Sequence, residues 1–237
     1  MGKKGGDTRV KRQMSPNFWT IKRKESQFVM KVRPGPHPNR RAYPLGMVLR
    51  DLLNLADTAR EADRILKQGD VKVDGIVRRD SNYSIGLMDV LELSNRQAYR
   101  MIPKDSTLLA PVAIEGPEKA MKPVKVTSKT IIKENKIQYG FHDSKTIISN
   151  EKLRVGDTCI IDLPEVRIRN NIAFESGSKA LVITGENAGR VGTIDDIKDG
   201  IFSLPKRALV TFDDKAVELP VEMVMVIGVE RPVIKVS

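Results

Sequence analysis

The chain has 237 residues, 40% hydrophobic and 5% aromatic, with a formal net charge of +11. That length allows one large domain or two or three small ones, and the low aromatic content argues against a broad stacking platform for single-stranded bases. A single cysteine, Cys159, excludes an internal disulfide framework; with no secretory signal and no apolar run of about 18 residues, the expectation is a soluble, cytoplasmic protein.

Residues 1–42 read as a basic leader. They carry 12 Lys+Arg against 2 Asp+Glu, so nearly all of the excess charge lies in the first sixth of the chain. Such a segment cannot fold alone, because self-repulsion and scarce apolar residues leave its ordering entropy uncompensated. A polyanion supplies the missing counter-charge, and nucleic acid fits best, with counterion release as the driving force. The alternative is a solvated tail. Lys11, Arg12, Lys22, Arg23, Lys24, Arg40 and Arg41 are the candidate phosphate contacts. Pro16 and the run Pro34-Gly35-Pro36-His37-Pro38 enforce extended or turned backbone. Phe18, Trp19, Ile21, Phe28, Val29 and Met30 are scattered anchors that pin the leader to something at a few points.

Residues 43–105 are charge-balanced, with ten basic and ten acidic side chains. A first helix is predicted from Pro44 onward, with Leu45, Val48, Leu49, Leu52 and Leu53 forming an amphipathic stripe. A second helix follows. Thr58 and Glu61 have capping-box spacing, Ala62, Ile65 and Leu66 form the apolar face, and Gly69 suits the C-terminal cap. Val71 and Val73 then lead into a hairpin turning at Asp74-Gly75, and a strand from Val90 to Leu93 closes the module.

On the second helix, Arg60, Arg64 and Lys67 stand at i, i+4 and i+7, within a sector of roughly 60° opposite the apolar face. Arg78 and Arg79 extend that stripe after the hairpin, with Lys72 on its first strand and Arg50 on the first helix as further candidates. Sorting charge by face lets a net-neutral module bind phosphate. The same spacing equally describes a solvated face with Glu61 and Asp63 as local partners.

Residues 106–175 alternate β-branched and polar residues in short runs and read as a central β-domain. Residues 176–237 read as a second β-unit of several short strands, which suits a small barrel. Gly185, Gly189 and Gly192 there are loop glycines, free to take positive φ and to approach another backbone. They are not a nucleotide-phosphate loop, because no G-K-[ST] follows.

Three stretches carry a resemblance. LNLADTAREADRILKQGDVKVDGIVRRD resembles the small RNA-binding domain first named for a ribosomal protein, matched by Glu61, Ala62, Ile65, Gly69, Val71, Val73 and Gly75. That resemblance implies RNA-facing roles for Arg60, Arg64, Lys67, Arg78 and Arg79. GSKALVITGENAGRVGTIDDI resembles the K-O-W motif through Gly185, Gly189 and Gly192. KRQMSPNFWTIKRK and RPGPHPNRRAYPLGMVLRDLLNLA resemble the leader and first helix of the archaeal and eukaryotic family of small-subunit ribosomal protein four-e. The likeness covers essentially the whole chain. The compact leader and the absence of a long tail after the last strand lean towards the archaeal branch.

The resulting expectation is an α+β, multi-module chain: basic leader (1–42), RNA-binding domain of two helices plus hairpin (43–105), central β-domain (106–175) and K-O-W-type β-barrel (176–237). As a structural constituent of the small ribosomal subunit it would bind ribosomal RNA and neighbouring ribosomal proteins, with no membrane, small-molecule substrate, cofactor or metal. The rivals are an RNA-modifying enzyme and a transient translation or transcription factor with the same modules. An enzyme reading has little support. His37 and His142 stand far apart on different modules, and His37 in its Pro-Gly-Pro-His turn is an RNA or packing contact rather than a base. Cys159 reads as a core residue, and with two histidines it makes no convincing zinc site.

Overall fold

The computed structural model describes residues 10–21, 27–95, 97–104 and 107–236. Within them the chain forms three five-stranded antiparallel sheets and few helical segments, an α+β arrangement.

The second helix, Ala59–Gln68, forms as its end signals dictate. Thr58 Oγ1 accepts from the Glu61 backbone N–H at 3.2 Å, and Glu61 Oε2 accepts from the Thr58 N–H at 3.3 Å. Such a box is worth about 1 kcal/mol. Gly69 ends the helix in a left-handed conformation. The first helix spans the predicted stripe to within a residue but changes pitch inside it. One α-turn, Leu45–Met47, runs into a π-turn, Val48–Leu52, and Asn54 at φ 52° ends it. Leu45, Met47, Val48 and Leu49 are each at most 2% exposed, while Arg50, Asp51, Leu52 and Leu53 are half-buried, so the first turn is enclosed and the π-turn keeps an outer side.

The hairpin strands Val71–Val73 and Ile76–Val77 meet at Asp74 and Gly75, both at positive φ (52° and 77°). That is the twist a two-residue hairpin needs. Val71–Val73 pairs on its other side with Val90–Leu93, as predicted. The sheet then continues through Ala98–Lys104 to Thr107–Ile114. The segment 107–114, read from sequence as the start of the central β-domain, thus hydrogen-bonds into the helix–hairpin sheet across position 105.

The described part of the leader packs onto this module. Trp19, 5% exposed, donates its indole N–H to the Ala42 carbonyl at 3.0 Å and stacks on Tyr43, and the Tyr43 hydroxyl donates to the Phe18 carbonyl at 2.8 Å. Ile21, Val29 and Met30 join the same core. Most of the anchors therefore find their partner within the chain, each large apolar side chain buried contributing about 1.5–3 kcal/mol against the ordering cost.

The central sheet runs in the order Thr146–Ser149, Ile137–Phe141, Met121–Ile131, Thr158–Asp162, Arg167–Ile172. The C-terminal sheet runs Ala216–Pro220, Arg207–Thr211, Val191–Lys198, Lys179–Val182, Val224–Gly228, so its last strand returns to pair with its first. Strand alternation gives that sheet two apolar faces. Ala180, Val182, Val224 and Val226 pack with Ile160 and Ile172 of the central sheet. Leu181, Ile183, Met225 and Ile227 pack with Met88 and Ile102 of the first module. No described helix is long and apolar enough to cross a membrane.

Candidate nucleic-acid interface

The outer face of Ala59–Gln68 carries the arginines that periodicity places there. Arg60, Arg64 and Lys67 are all exposed, while Ala62 and Leu66 on the opposite face are fully buried. With Asp63 and Gln68 they line an open surface depression of about 400 Å³. Lys67 is paired with Asp63 at 2.7 Å. Among the described residues no carboxylate pairs with Arg60 or Arg64. Each therefore presents an unspent fork of donors, the geometry that grips a phosphate in two-point fashion.

The neighbouring cations are arranged less uniformly. Arg79 is exposed, and its guanidinium lies beside Gly69, at the helix C-terminus, where a cation also complements the helix dipole. Arg78 is half-buried, with its guanidinium 4.4 Å from the centre of the Tyr83 ring. Lys72 is exposed on the hairpin, in a depression it shares with Asp70 and Glu92. Arg50 is half-buried and binds the carboxylate of Asp51 through two nitrogens at 2.5 and 2.7 Å. In the leader, Lys11, Arg40 and Arg41 are exposed, and half-buried Arg12 donates to the Ile21 carbonyl at 3.1 Å. Lys22, Arg23 and Lys24 lie outside the described residues.

Of the two roles expected of His37, RNA contact or packing contact, its burial favours packing. It is 4% exposed, and its Nε2 lies 3.0 Å from the Asp89 carboxylate, inside a polar cluster that sequence reading did not find. The centre of that cluster is Lys122, fully buried, whose Nζ lies 2.5 Å from Asp89, 2.8 Å from Asp74 and 3.0 Å from Asp143. Lys145 adds a second ammonium, 2.8 Å from Asp74. The Gly86 N–H donates to Asp89 at 2.8 Å and the Val90 N–H to Asp74 at 3.1 Å. Burial opposes the charge on Asp89, yet His37 and Lys122 beside it hold its carboxyl well below the usual range. Burial likewise opposes the charge on Lys122, and its carboxylate neighbours more than reverse that, raising it.

The two histidines, distant in sequence, meet at this cluster with ring centres 6.1 Å apart. His142 Nδ1 accepts from the Lys125 backbone N–H at 3.1 Å, and Nε2 faces the Leu87 carbonyl at 3.1 Å, which fixes a neutral ring donating from Nε2. Burial pushes its pKa down to about 4. The fold joins them because the 34–38 turn docks on the central hairpin, where the Ser144 hydroxyl donates to the Pro36 carbonyl at 2.9 Å.

Two further buried cations staple modules together. Arg100 Nη2 donates to the Glu118 and Met121 carbonyls at 2.8 and 3.0 Å. Lys125 Nζ donates to the Val221 and Val224 carbonyls, both at 2.6 Å, and burial lowers its pKa to about 8. Lys122 and Lys125 stand three apart on one strand, so they point to opposite faces. One reaches the helix–hairpin module and the other the C-terminal sheet. The glycine loop is also committed to the chain itself: Gly189, at φ +88°, leaves so little space that a Cβ would meet the Pro103 carbonyl oxygen at 2.7 Å. Cys159 is fully buried with its thiol pushed up to about 12, the state of a core residue rather than a nucleophile.

Comparison with known proteins agrees with this architecture. The chain matches the RS4NT (NUC023) domain at residues 4–40, the S4 domain at 47–91 and Ribosomal family S4e at 95–168. It is 36% identical to the small ribosomal subunit protein eS4 of Aeropyrum pernix, over 99% of this chain and 97% of that protein. It is 37% identical to the eS4 of Staphylothermus marinus, over 99% and 98%. The crystal structure of the 30S ribosomal protein S4e from Thermoplasma acidophilum is similar at TM-score 0.68 and 34% identity, covering 79% of this chain and 95% of that one.

Proposed function

Since the chain belongs to the small ribosomal subunit protein eS4 family, we propose that it is a structural constituent of the small ribosomal subunit and binds ribosomal RNA. The observation that carries the reading is the outer face of Ala59–Gln68, inside the S4-domain match, where exposed Arg60 and Arg64 have no carboxylate partner among the described residues. Phosphate contacts supply most of the affinity, and the shape of the helix–hairpin module sets position. Lys67, Lys72, Arg78, Arg79 and Arg50 flank that face. Lys11, Arg12, Arg40 and Arg41, with Lys22, Arg23 and Lys24, extend the contact along the leader.

The functional division is a leader at 1–42, an RNA-binding module at 43–105 whose sheet also takes in Thr107–Ile114, a central β-domain over the rest of 106–175 and a K-O-W-type barrel at 176–237. The return of Val224–Gly228 to pair with Lys179–Val182 supports the barrel, and the tight packing at Gly189 supports the motif. The protein acts without catalysis, cofactor or metal, in the cytoplasm, among ribosomal RNA and neighbouring ribosomal proteins. Its two histidines and its cysteine are spent on packing, which disfavours the modifying-enzyme alternative.

Sucrose-gradient sedimentation tests this. Stoichiometric co-migration with small subunits through a salt wash is expected. Loss of the chain to the soluble fraction would instead identify a transient factor.

A further inference from the structure

The two most exposed large apolar side chains described in the C-terminal unit, Ile201 and Phe202, sit together at one tip with Leu204. The Ile201 N–H donates to the Leu204 carbonyl at 3.0 Å, and the Leu204 N–H donates back to Ile201 at 2.8 Å. Phe202 and Ser203 are therefore the two central residues of a closed turn. Around it Ile201 is 72% exposed, Leu204 44%, and Phe202 completely so. The tip is not a piece of core left uncovered, since Ile194, Ala208 and Val210 below it fill the sheet interior. A backbone-locked turn that holds a phenylalanine and two aliphatic side chains in water is the pattern of a docking element.

Charge decides what it docks on. Lys198 and Arg207 both bind Glu218, at 3.2 and 3.1 Å, and Lys206 binds Asp199 at 3.0 Å. Asp195 and Asp196 are exposed on the strand leading to the tip. The strands behind the tip thus set four carboxylates, Asp195, Asp196, Asp199 and Glu218, against three cations, Lys198, Lys206 and Arg207, for a net negative charge. A base stacked on Phe202 would bring its phosphates towards strands whose own charge is already negative, which disfavours it. A protein that itself lives on RNA carries excess positive charge, which these carboxylates complement.

We propose that Ile201, Phe202 and Leu204 insert into an apolar pocket on a neighbouring, basic protein of the small subunit, and not against ribosomal RNA. The inference rests on the ribosomal reading above and names the partner class for one surface within it.

The test places a photo-crosslinking benzoylphenylalanine at position 202 of the full-length chain and irradiates assembled small subunits. An adduct with another protein is expected. Adducts to ribosomal RNA, or none from a chain that has entered the subunits, overturn the inference and leave the ribosomal reading standing. A wild-type chain that never enters subunits overturns both. In parallel, Phe202→Ser should keep its thermal midpoint and bind naked ribosomal RNA within about twofold of wild type, while its retention on salt-washed subunits weakens about tenfold or more. Equal losses on naked RNA and on subunits would also overturn the inference.

Discussion

Lys122 Nζ lies 2.8 Å from Asp74 Oδ2, although one residue is on the central sheet and the other is at the tip of the hairpin 48 positions earlier. The hairpin turn is therefore the foot by which the helix–hairpin module stands on the rest of the chain. Gly75 beside it fits against Pro164, where a Cβ would stand 3.2 Å from the proline ring. With the hairpin tip occupied, the outer helix face is what the module leaves open. Three carboxylates and an imidazole gathered at one point resemble a metal-binding donor set, but here an ammonium fills the centre.

Lys122→Met should be strongly destabilising. It leaves Asp74, Asp89 and Asp143 buried with only Lys145 and His37 to balance them, and breaking a buried pair this way costs about 3–5 kcal/mol. The sign with pH is also set. Lys122 helps to hold the carboxyls of Asp89 and Asp143 below their ordinary range, so the stabilisation is present above the unfolded carboxylate pKa and is lost as pH falls through the folded values. Without the ammonium, burial raises these carboxyls in the folded variant and they protonate as pH falls towards 4, so the penalty should be largest near neutrality and narrow on acidification. Urea unfolding at pH 7 and pH 4 measures it; a loss below about 1 kcal/mol, or one independent of pH, would show that the cluster does not couple the modules.

His142 sets a second dependence. Its pKa falls from 6.5 to about 4 in the folded chain because the ring is buried, next to Lys122. The unfolded chain binds the extra proton first, so stability should decline as pH drops from about 6.5 to 4, by on the order of 3 kcal/mol. His142→Asn offers a carboxamide oxygen to the Lys125 N–H but cannot titrate there. Its unfolding midpoint should change less over that range than that of the wild type. Parallel curves for the two proteins would remove His142 as the cause.

Local signals were legible and long-range ones were not. Thr58, Glu61 and Gly69 announce both ends of the second helix, and Asp74-Gly75 announces the hairpin, because each acts on backbone within a few residues. The arginine stripe is equally readable, since exposure follows from the same periodicity that buries Ala62 and Leu66. Lys122 and Lys125 look like the ordinary polar positions of an alternating strand, and nothing nearby in sequence names the carboxylates or carbonyls they bind. Both roles of His37 stay open in sequence for the same reason, as its partner Asp89 is 52 residues away. The first helix differs in another way: its stripe is real, but Met47 is buried as well, so its first turn is enclosed rather than one-sided.

The outer helix face makes the most discriminating prediction. Each phosphate neutralised by a cation adds about 0.7 to 0.9 to the slope of log affinity against log salt. Arg60→Ala and Arg64→Ala should each lower the slope for ribosomal RNA binding by about that amount, and the double variant by roughly twice as much. Lys67→Ala should change it less, because Lys67 already spends its charge on Asp63 at 2.7 Å. His37→Gln should leave the slope alone whatever it does to stability, since its ring faces Asp89 and not solvent. Filter binding between 50 and 200 mM salt separates these outcomes. Slopes unmoved by the arginine variants would take the helix out of the interface and leave the leader as the main electrostatic contact. A slope reduced by His37→Gln would mean that the 34–38 turn opens when RNA binds.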